Sequence, residues 1–288
     1  MAARPRTLPA AAAPVIVGSA VAWHDGVFQW LPALAALLGA LLIQIGTNLA
    51  NDVFDHEKGA DTADRLGPTR VTNAGLLSPR EVYGGMALTF AVALVIGLYL
   101  VAIGGWPIVI IGLASIVAGV AYTGGPFPLG YNGLGDVFVF IFFGLVAVSG
   151  TYYVQAGTLS PLVWWVAVPI GLLAVNIIVV NNLRDIDTDR KAGKRTLAVR
   201  LGASGARWEY ALILVAAFAC PLLAWLLGGQ PAWLLVSWLS LPLALRWLRA
   251  VQTQTGRPLN AALAGSGQVE LLFALLLTIG LVLDHTVR

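Results

Sequence analysis

The sequence predicts an all-α integral membrane protein, with nine transmembrane helices around a central cavity open to the cytoplasmic side. Three observations carry that expectation. Of 288 residues, 58% are hydrophobic and only 11% charged, against about 25% charged in soluble domains, and the mean hydropathy is +0.83. Apolar runs of about 20 residues, enough to cross a hydrocarbon core as a helix, recur along nearly the whole chain. The basic residues fall on alternate connections, as a fixed orientation in a membrane requires.

The runs lie at roughly 8–23, 31–50, 82–104, 107–122, 136–156, 162–181, 208–228, 231–248 and 261–283, giving one membrane domain over residues 1–288. The N-terminus and the connections after the second, fourth, sixth and eighth runs hold every one of the 17 Lys and Arg residues except Arg288. The positive-inside rule then places the N-terminus in the cytoplasm and the C-terminus outside, in a multi-pass protein of the cell (inner or plasma) membrane. Positive charge distributed in this way serves orientation, and no nucleic-acid partner is expected; the partner is the lipid bilayer. Trp23, Trp30, Trp106, Trp164, Trp165, Trp225 and Trp233 fall at the predicted outer interface, where amphipathic rings anchor. The single Cys220 lies in an apolar run, which leaves no disulfide framework. Arg4, Arg6 and the small-residue pattern Ala20-Val-Ala22 imitate a signal peptide, but cleavage would put both termini outside, against the basic-residue count.

Along the chain, Arg4 and Arg6 lead into the first run and either orient the protein by charge alone or reach an anionic substrate. The second run ends in Asn48-Leu-Ala-Asn51-Asp52-Val-Phe-Asp55. On a helix, Asn48 and Asp52, Asn51 and Asp55, and Asp52 and Asp55 are neighbours. Ionisable groups at membrane depth cost about 2.5–3.5 kcal/mol each and mark a functional site by default. Close carboxylates repel unless a cation intervenes, and hard oxygen ligands suit Mg²⁺, which binds through one or two carboxylates plus substrate phosphates. A solvated acidic helix end is the plainer alternative. The next connection, His56 to Arg80, carries Lys58, Arg65 and Arg70, cations that either face a phosphate or belong to an ordinary positive-inside loop.

The Gly- and Pro-rich connection from Tyr122 to Asp136 holds no basic residue and demands a fixed non-helical path. Asn132 and Asp136 repeat the Asn-x-x-x-Asp spacing, although Asp136 also suits a helix cap. The sixth run carries Asn176 and reaches Asn181-Asn182-Leu-Arg184-Asp185-Ile-Asp187-Thr-Asp189, with Asn181, Asp185 and Asp189 at successive i, i+4 steps and Lys194 and Arg195 behind them. In the last run, Glu270 is either functional or bonded to a neighbour. Two acidic helix ends backed by cations, facing one cavity in a membrane, fit a substrate with a phosphorylated head and an apolar tail. Mg²⁺ held by Asp52, Asp55, Asp185 and Asp189 would stabilise charge on the departing head, and aromatic faces would stabilise an allylic carbocation.

With those motifs in view, the chain resembles the UbiA prenyltransferase superfamily, whose members have nine transmembrane helices and aspartate-rich motifs after the second and sixth. Within it the chain is similar to the 1,4-dihydroxy-2-naphthoate branch through ARPRTLP (3–9), RLGPTRVTNAGLLSP (65–79), YTGGPFPLGYNGLGD (122–136) and GKRTLAVRLG (193–202). The resemblance implies transfer of a polyprenyl group from polyprenyl diphosphate to 1,4-dihydroxy-2-naphthoate, with Mg²⁺ as cofactor and loss of CO₂ and diphosphate, giving demethylmenaquinone. It implies that Asn48, Asp52 and Asp55 hold one Mg²⁺ and Asp185 and Asp189 another. Arg70, Lys194 and Lys58 would contact the diphosphate, and Tyr122 would lie near the reacting carbon. Arg6, Asn181, Asp136 and Glu270 are further substrate-binding candidates. His56 stands where the wider family carries the second Asp of its first motif, so Asn48 and Asp52 are the expected ligands and Asp55 the position to test. A related enzyme for 4-hydroxybenzoate or a chlorin is the alternative acceptor reading, disfavoured for 4-hydroxybenzoate by the lack of basic residues after Tyr122. A transporter would instead need polar residues deep in several helices.

Overall fold

Every element of the structure, a computed structural model that describes residues 2–59 and 65–287, is helical, with no strand among the described residues. In chain order the helices are α1 (Leu8–His24), α2 (Trp30–Glu57), α3 (Pro79–Gly104), α4 (Trp106–Ala121), α5 (Gly135–Ala156), α6 (Pro161–Arg184), α7 (Ile186–Lys191), α8 (Leu197–Leu226), α9 (Ala232–Thr253) and α10 (Leu259–Val287). Seven of them (α2, α3, α5, α6, α8, α9 and α10) are long and apolar enough to cross a membrane. Of the nine helices expected, the other two, α1 and α4, are apolar but shorter, with 17 and 16 residues. Sixteen residues rise only about 24 Å, short of a core about 30 Å thick.

Local chemistry starts the helices. Ser78 and Glu81 form a reciprocal cap ahead of α3, with Pro79 in its first turn. Ser160 caps α6 by accepting from Leu162 N, with Pro161 in its first turn, and Thr196 caps α8. Two predicted boundaries move. The second helix does not stop at residue 50 but continues to Glu57, so the whole 48–55 stretch is helical. The α8 helix begins at Leu197 and breaks at Gly202, whose φ of 75° a side chain would resist.

The core runs through α1, α6 and α10. Ala13, Val17 and Val21 of α1 are fully buried, as are Val163 and Ile170 of α6 and Phe273 and Ala274 of α10. In contrast, α3 and α4 bury few residues and expose Leu88, Val95, Ile110 and Val117, the apolar outer surface expected of helices against lipid. Of the predicted tryptophan anchors all but Trp165 are exposed, and Trp165 turns inward against Gly228. At that same end His24 of α1 bonds to Asp25 and to Asp284 of α10, and Tyr152 of α5 donates to Asp25, tying three helices together.

Close approach of α5 and α6 depends on two glycines. A Cβ at Gly144 would come within 2.6 Å of the Gly171 Cα, and one at Gly171 within 2.9 Å of both the Gly144 Cα and the Phe140 carbonyl. Gly144 lies in a π-helical segment, Phe140–Val146, which widens α5 at that level. Such bulges are frequent at functional sites, and Phe142, Phe143 and Val146 of this one line the central cavity. Overpacking a fitted contact costs about 1–3 kcal/mol. Gly171→Val should therefore lower the thermal midpoint of the detergent-purified protein, whereas Gly112→Val on α4, where a Cβ meets nothing within 4 Å, should leave it unchanged.

Candidate active site

A cavity of about 600 Å³ is enclosed chiefly by α1 to α6. One part of it is apolar, lined by Ala36 and Ile43 of α2, Leu98 of α3, Leu113 of α4 and Phe138, Phe142 and Phe143 of α5. The other part is polar, at the level where α2 and α6 end, and takes in Asn51, Asp55, Arg70, Tyr131, Asn181, Asp185, Asp189 and Lys194. A chamber with a charged head and an apolar body is built for an amphiphile.

The two acidic helix ends meet through one lysine. Lys194 Nζ lies 3.5 Å from Asp55 Oδ1 and 3.6 Å from Asp189 Oδ1. Asp55 also accepts from Arg70 Nη2 at 2.5 Å and from the Tyr131 hydroxyl at 2.5 Å. Tyr131 lies beneath two ammonium groups, with Lys194 Nζ 4.5 Å and Lys58 Nζ 5.1 Å from its ring centroid, within cation–π range. Burial pushes the Asp189 carboxyl up to about 6, with Asp185 and Asp55 acting in the same direction and Lys194 against it. A buried carboxylate so placed, beside others of the same sign, gains from a further cation.

On the α6 side, Arg184 forks onto Asp185 through Nε (2.8 Å) and Nη2 (2.5 Å) and also donates to Asn181 (2.9 Å) and to Asn260 of α10 (2.8 Å). Asn260 in turn donates to the Leu66 carbonyl. The helix ends at Asp185, and α7 then brings Asp189 back to the cavity, its amide bonded to the Asp185 carbonyl.

Of the expected site residues, the structure brings together Asp55, Asp185, Asp189, Asn181, Arg70, Lys194 and Tyr122 around one cavity, with Asn48 also on its wall. Others fall elsewhere. Asp52 does not line the cavity; it is 1% exposed and its oxygens accept from Val71 N, Thr72 N and Thr72 Oγ1. Of the first motif, Asn48, Asn51 and Asp55 line the cavity and Asp52 does not; the Asn48 Nδ2 donates to the Ala3 carbonyl and Thr7 hydroxyl, and the Asn51 Oδ1 accepts from the Thr123 hydroxyl. Lys58 also departs from its expected place, donating to the Thr123 and Gly125 carbonyls, with burial lowering its pKa. Asp136 is buried outside the cavity lining and caps nothing; neither of its oxygens has a hydrogen-bond partner among the described residues. Glu270 is fully buried and likewise away from the cavity, its oxygens without partners among the described residues, because the α10 face that carries it packs inward. The Arg6 side chain lies outside the described residues.

The sequence reading passed over Tyr131, Asn51 as a cavity residue, and Arg184 with its partner Asn260. For Tyr131 a signal existed in the glycine-rich loop. Cβ atoms at Gly130 and Gly135 would come within 2.8 Å of the Tyr122 ring and hydroxyl, so those glycines let the loop close over Tyr122 and carry Tyr131 to Asp55.

Asp189 yields a stability test in chelated buffer. Its folded pKa of about 6 exceeds the ordinary carboxylate value of about 3.9. Between those values the folded state keeps a proton that the unfolded chain has lost, so the residue destabilises progressively as pH rises from about 4 to 6 and fully above that. Asp189→Asn should raise the thermal midpoint at pH 8, and the gain should fade as pH drops through about 6.

Comparison with known proteins places the chain in a family. The UbiA prenyltransferase family model matches residues 11–265. A 1,4-dihydroxy-2-naphthoate octaprenyltransferase of Escherichia coli (strain K12) is 41% identical over 283 residues, covering 94% of this chain and 92% of that protein. Among solved structures, the apo structure of a UbiA homolog from Aeropyrum pernix K1 is similar with a TM-score of 0.73 at 18% identity, over 98% of both chains. A UbiA homolog from Archaeoglobus fulgidus bound to GPP and Mg²⁺ reaches 0.64 at 17% identity, over 96% of this chain and 98% of that one. At such identities the structural likeness shows the fold. Family match and sequence identity go further: the chain belongs to the UbiA prenyltransferase family.

Proposed function

We propose that this protein transfers a polyprenyl group from a polyprenyl diphosphate to 1,4-dihydroxy-2-naphthoate, with Mg²⁺ as cofactor and release of diphosphate and CO₂. The observation that carries the reading is Lys194 held between Asp55 and Asp189 at the polar end of an otherwise apolar cavity. The diphosphate belongs at that end and the prenyl tail along α2 to α5. The acceptor follows from the relative's name at 41% identity and from the branch motifs.

The donor set suits the metal. Asn48, Asn51, Asp55, Asn181, Asp185 and Asp189 line the cavity, and carboxylate and carboxamide oxygens are hard ligands. The described residues contain no cluster of three or more acidic, His or Cys side chains placed to hold an ion. An ion there would be held by one or two carboxylates together with substrate phosphates. Bound there, Mg²⁺ would neutralise charge on the phosphate oxygens. Arg70 and Lys194, now paired with Asp55, turn to the diphosphate and make charge-assisted bonds to its oxygens. The allylic C–O bond breaks with its electron pair leaving on the diphosphate. Tyr122 and the phenylalanines of α5 present aromatic faces to the resulting cation and exclude water. The ring carbon bearing the carboxylate attacks, and the product regains aromaticity as that carboxylate departs as CO₂, the electrons of its C–C bond returning to the ring.

The protein spans the membrane nine times, α1 and α4 included, with the polar end of the cavity on the cytoplasmic side. The supporting observation is that the basic residues cluster at that end, with Arg288 the one exception in sequence. Cysteines introduced into a Cys220→Ala background test it: Thr158→Cys should react with an impermeant maleimide in intact cells, and Asp187→Cys only after lysis.

The activity test supplies purified protein with Mg²⁺, a polyprenyl diphosphate and either dihydroxynaphthoate or 4-hydroxybenzoate. Prenylated naphthoquinol and diphosphate should form with the first acid alone, and chelation should stop the reaction. Asp55→Asn and Asp185→Asn should each lower kcat/KM by about 100-fold or more, the loss of ~2.7 kcal/mol of charge stabilisation. Turnover of 4-hydroxybenzoate in preference would sink the acceptor assignment.

A further inference from the structure

Asp52 stands apart from the other acidic residues of its motif. It is 1% exposed and does not line the cavity, yet it sits one helical turn from Asp55, which does. Its three hydrogen bonds all go to one short segment. Oδ2 accepts from Val71 N at 3.1 Å, and Oδ1 accepts from Thr72 N at 3.1 Å and Thr72 Oγ1 at 2.6 Å. That segment is a self-contained turn: Ala74 N donates to the Arg70 carbonyl, Leu76 N to the Val71 carbonyl and Gly75 N to the Thr72 carbonyl, with Gly75 at φ 68° closing it. A helical turn leaves its leading N–H groups without partners of its own. Asp52 supplies those partners from another element, and the residue just before the capped amides is Arg70, whose guanidinium reaches Asp55 at 2.5 Å.

We propose that Asp52 is a positioning residue, not a metal ligand: it docks the Arg70–Leu77 turn on α2 and thereby aims Arg70 at the diphosphate site. The role rests on the donor-binding reading above. Asp52 and Asp55 form a two-point register for this turn, the first holding its backbone and the second its cation. A carboxylate is required at the first point because both oxygens must accept. In Asp52→Asn one oxygen becomes an NH₂ donor facing an N–H donor, so at least one bond is lost and the turn loosens.

The test separates turn docking from metal binding. Hydrogen exchange of the metal-free protein should show faster exchange of the Val71 and Thr72 amides in Asp52→Asn, with α2 otherwise protected. Thermal-shift titration with Mg²⁺ in the presence of a non-reactive diphosphate should give a half-saturating concentration within about twofold of wild type, whereas Asp189→Asn shifts it by about tenfold or more. Steady-state kinetics should show the donor KM raised about tenfold in Asp52→Asn, and less in Thr72→Val, which loses the hydroxyl alone. Adding Arg70→Ala to Asp52→Asn should raise KM by much less than Arg70→Ala does alone, because the two act through one element. A tenfold shift in the Mg²⁺ midpoint of Asp52→Asn with unchanged amide exchange would overturn the inference. Should Asp52→Asn fail to fold, Thr72→Val decides: a raised donor KM at an unchanged Mg²⁺ midpoint supports the docking role, and an unchanged KM overturns it. A wild-type protein that releases no diphosphate from any polyprenyl donor would instead remove the functional reading, and this inference with it.

Discussion

The structure turns on the contact of Asp55 and Asp189 with one ammonium group. Carboxylates from α2 and α7 repel when brought to one cavity, and the low dielectric of a membrane protein sharpens that repulsion. Lys194 lies within 4 Å of both and offsets it. Around the same Asp55 gather Arg70 from the α2–α3 connection and Tyr131 from the α4–α5 connection. Three segments, bearing Arg70, Tyr131 and Lys194, therefore converge on one carboxylate. Removing the lysine from between Asp55 and Asp189 would cost about 3–5 kcal/mol, because buried carboxylate charge is left uncompensated.

Much of the local architecture makes that convergence possible. The α2 helix must outrun its apolar segment to bring Asn51 and Asp55 to the cavity, and it does so by continuing to Glu57. The α6 helix must stop at Arg184 so that α7 can turn Asp189 inward, and the fork of Arg184 on Asp185 anchors that break. Glycines serve where elements approach too closely for a side chain: Gly144 and Gly171 between helices, Gly130 and Gly135 against Tyr122. Hydrophobic burial holds the bundle together through α1, α6 and α10, while α3 and α4 leave apolar surface outward.

Hydropathy and charge alternation made the helical membrane fold and the two acidic ends legible, because both depend on local composition. The choice of face was not legible. Asn48/Asp52 and Asn51/Asp55 share one spacing on one helix and differ by a rotation of only about 60°; Asn48, Asn51 and Asp55 reach the cavity, and the packing of the Arg70–Leu77 turn withdraws Asp52 from it. Long-range partners were equally hidden. Tyr131 is 76 residues from Asp55, and Asn260 is as far from Arg184, so no periodicity relates them. For Glu270 the rule that intramembrane carboxyls mark sites led away from the cavity, since α10 buries that face in the core.

A site crowded with charge must be stable before its ligands arrive, and the pairing pattern shows how. Asp55 is matched by Arg70 and Lys194, Asp185 by Arg184, and Asp189 by Lys194. The pairs differ in commitment. Arg184 is bound on three sides by Asp185, Asn181 and Asn260 and is fixed in place. Lys194 is shared at 3.5 and 3.6 Å, longer than a close ion pair, on a flexible stem. On the proposed reading, the donor brings negative phosphate oxygens and the metal brings positive charge at the same moment. Arg70 and Lys194 would then pass from carboxylate to phosphate, and an ion held by Asp55 and Asp189 would supply the positive charge they give up. Fixed partners behind the site and exchangeable ones within it are what such a transfer requires.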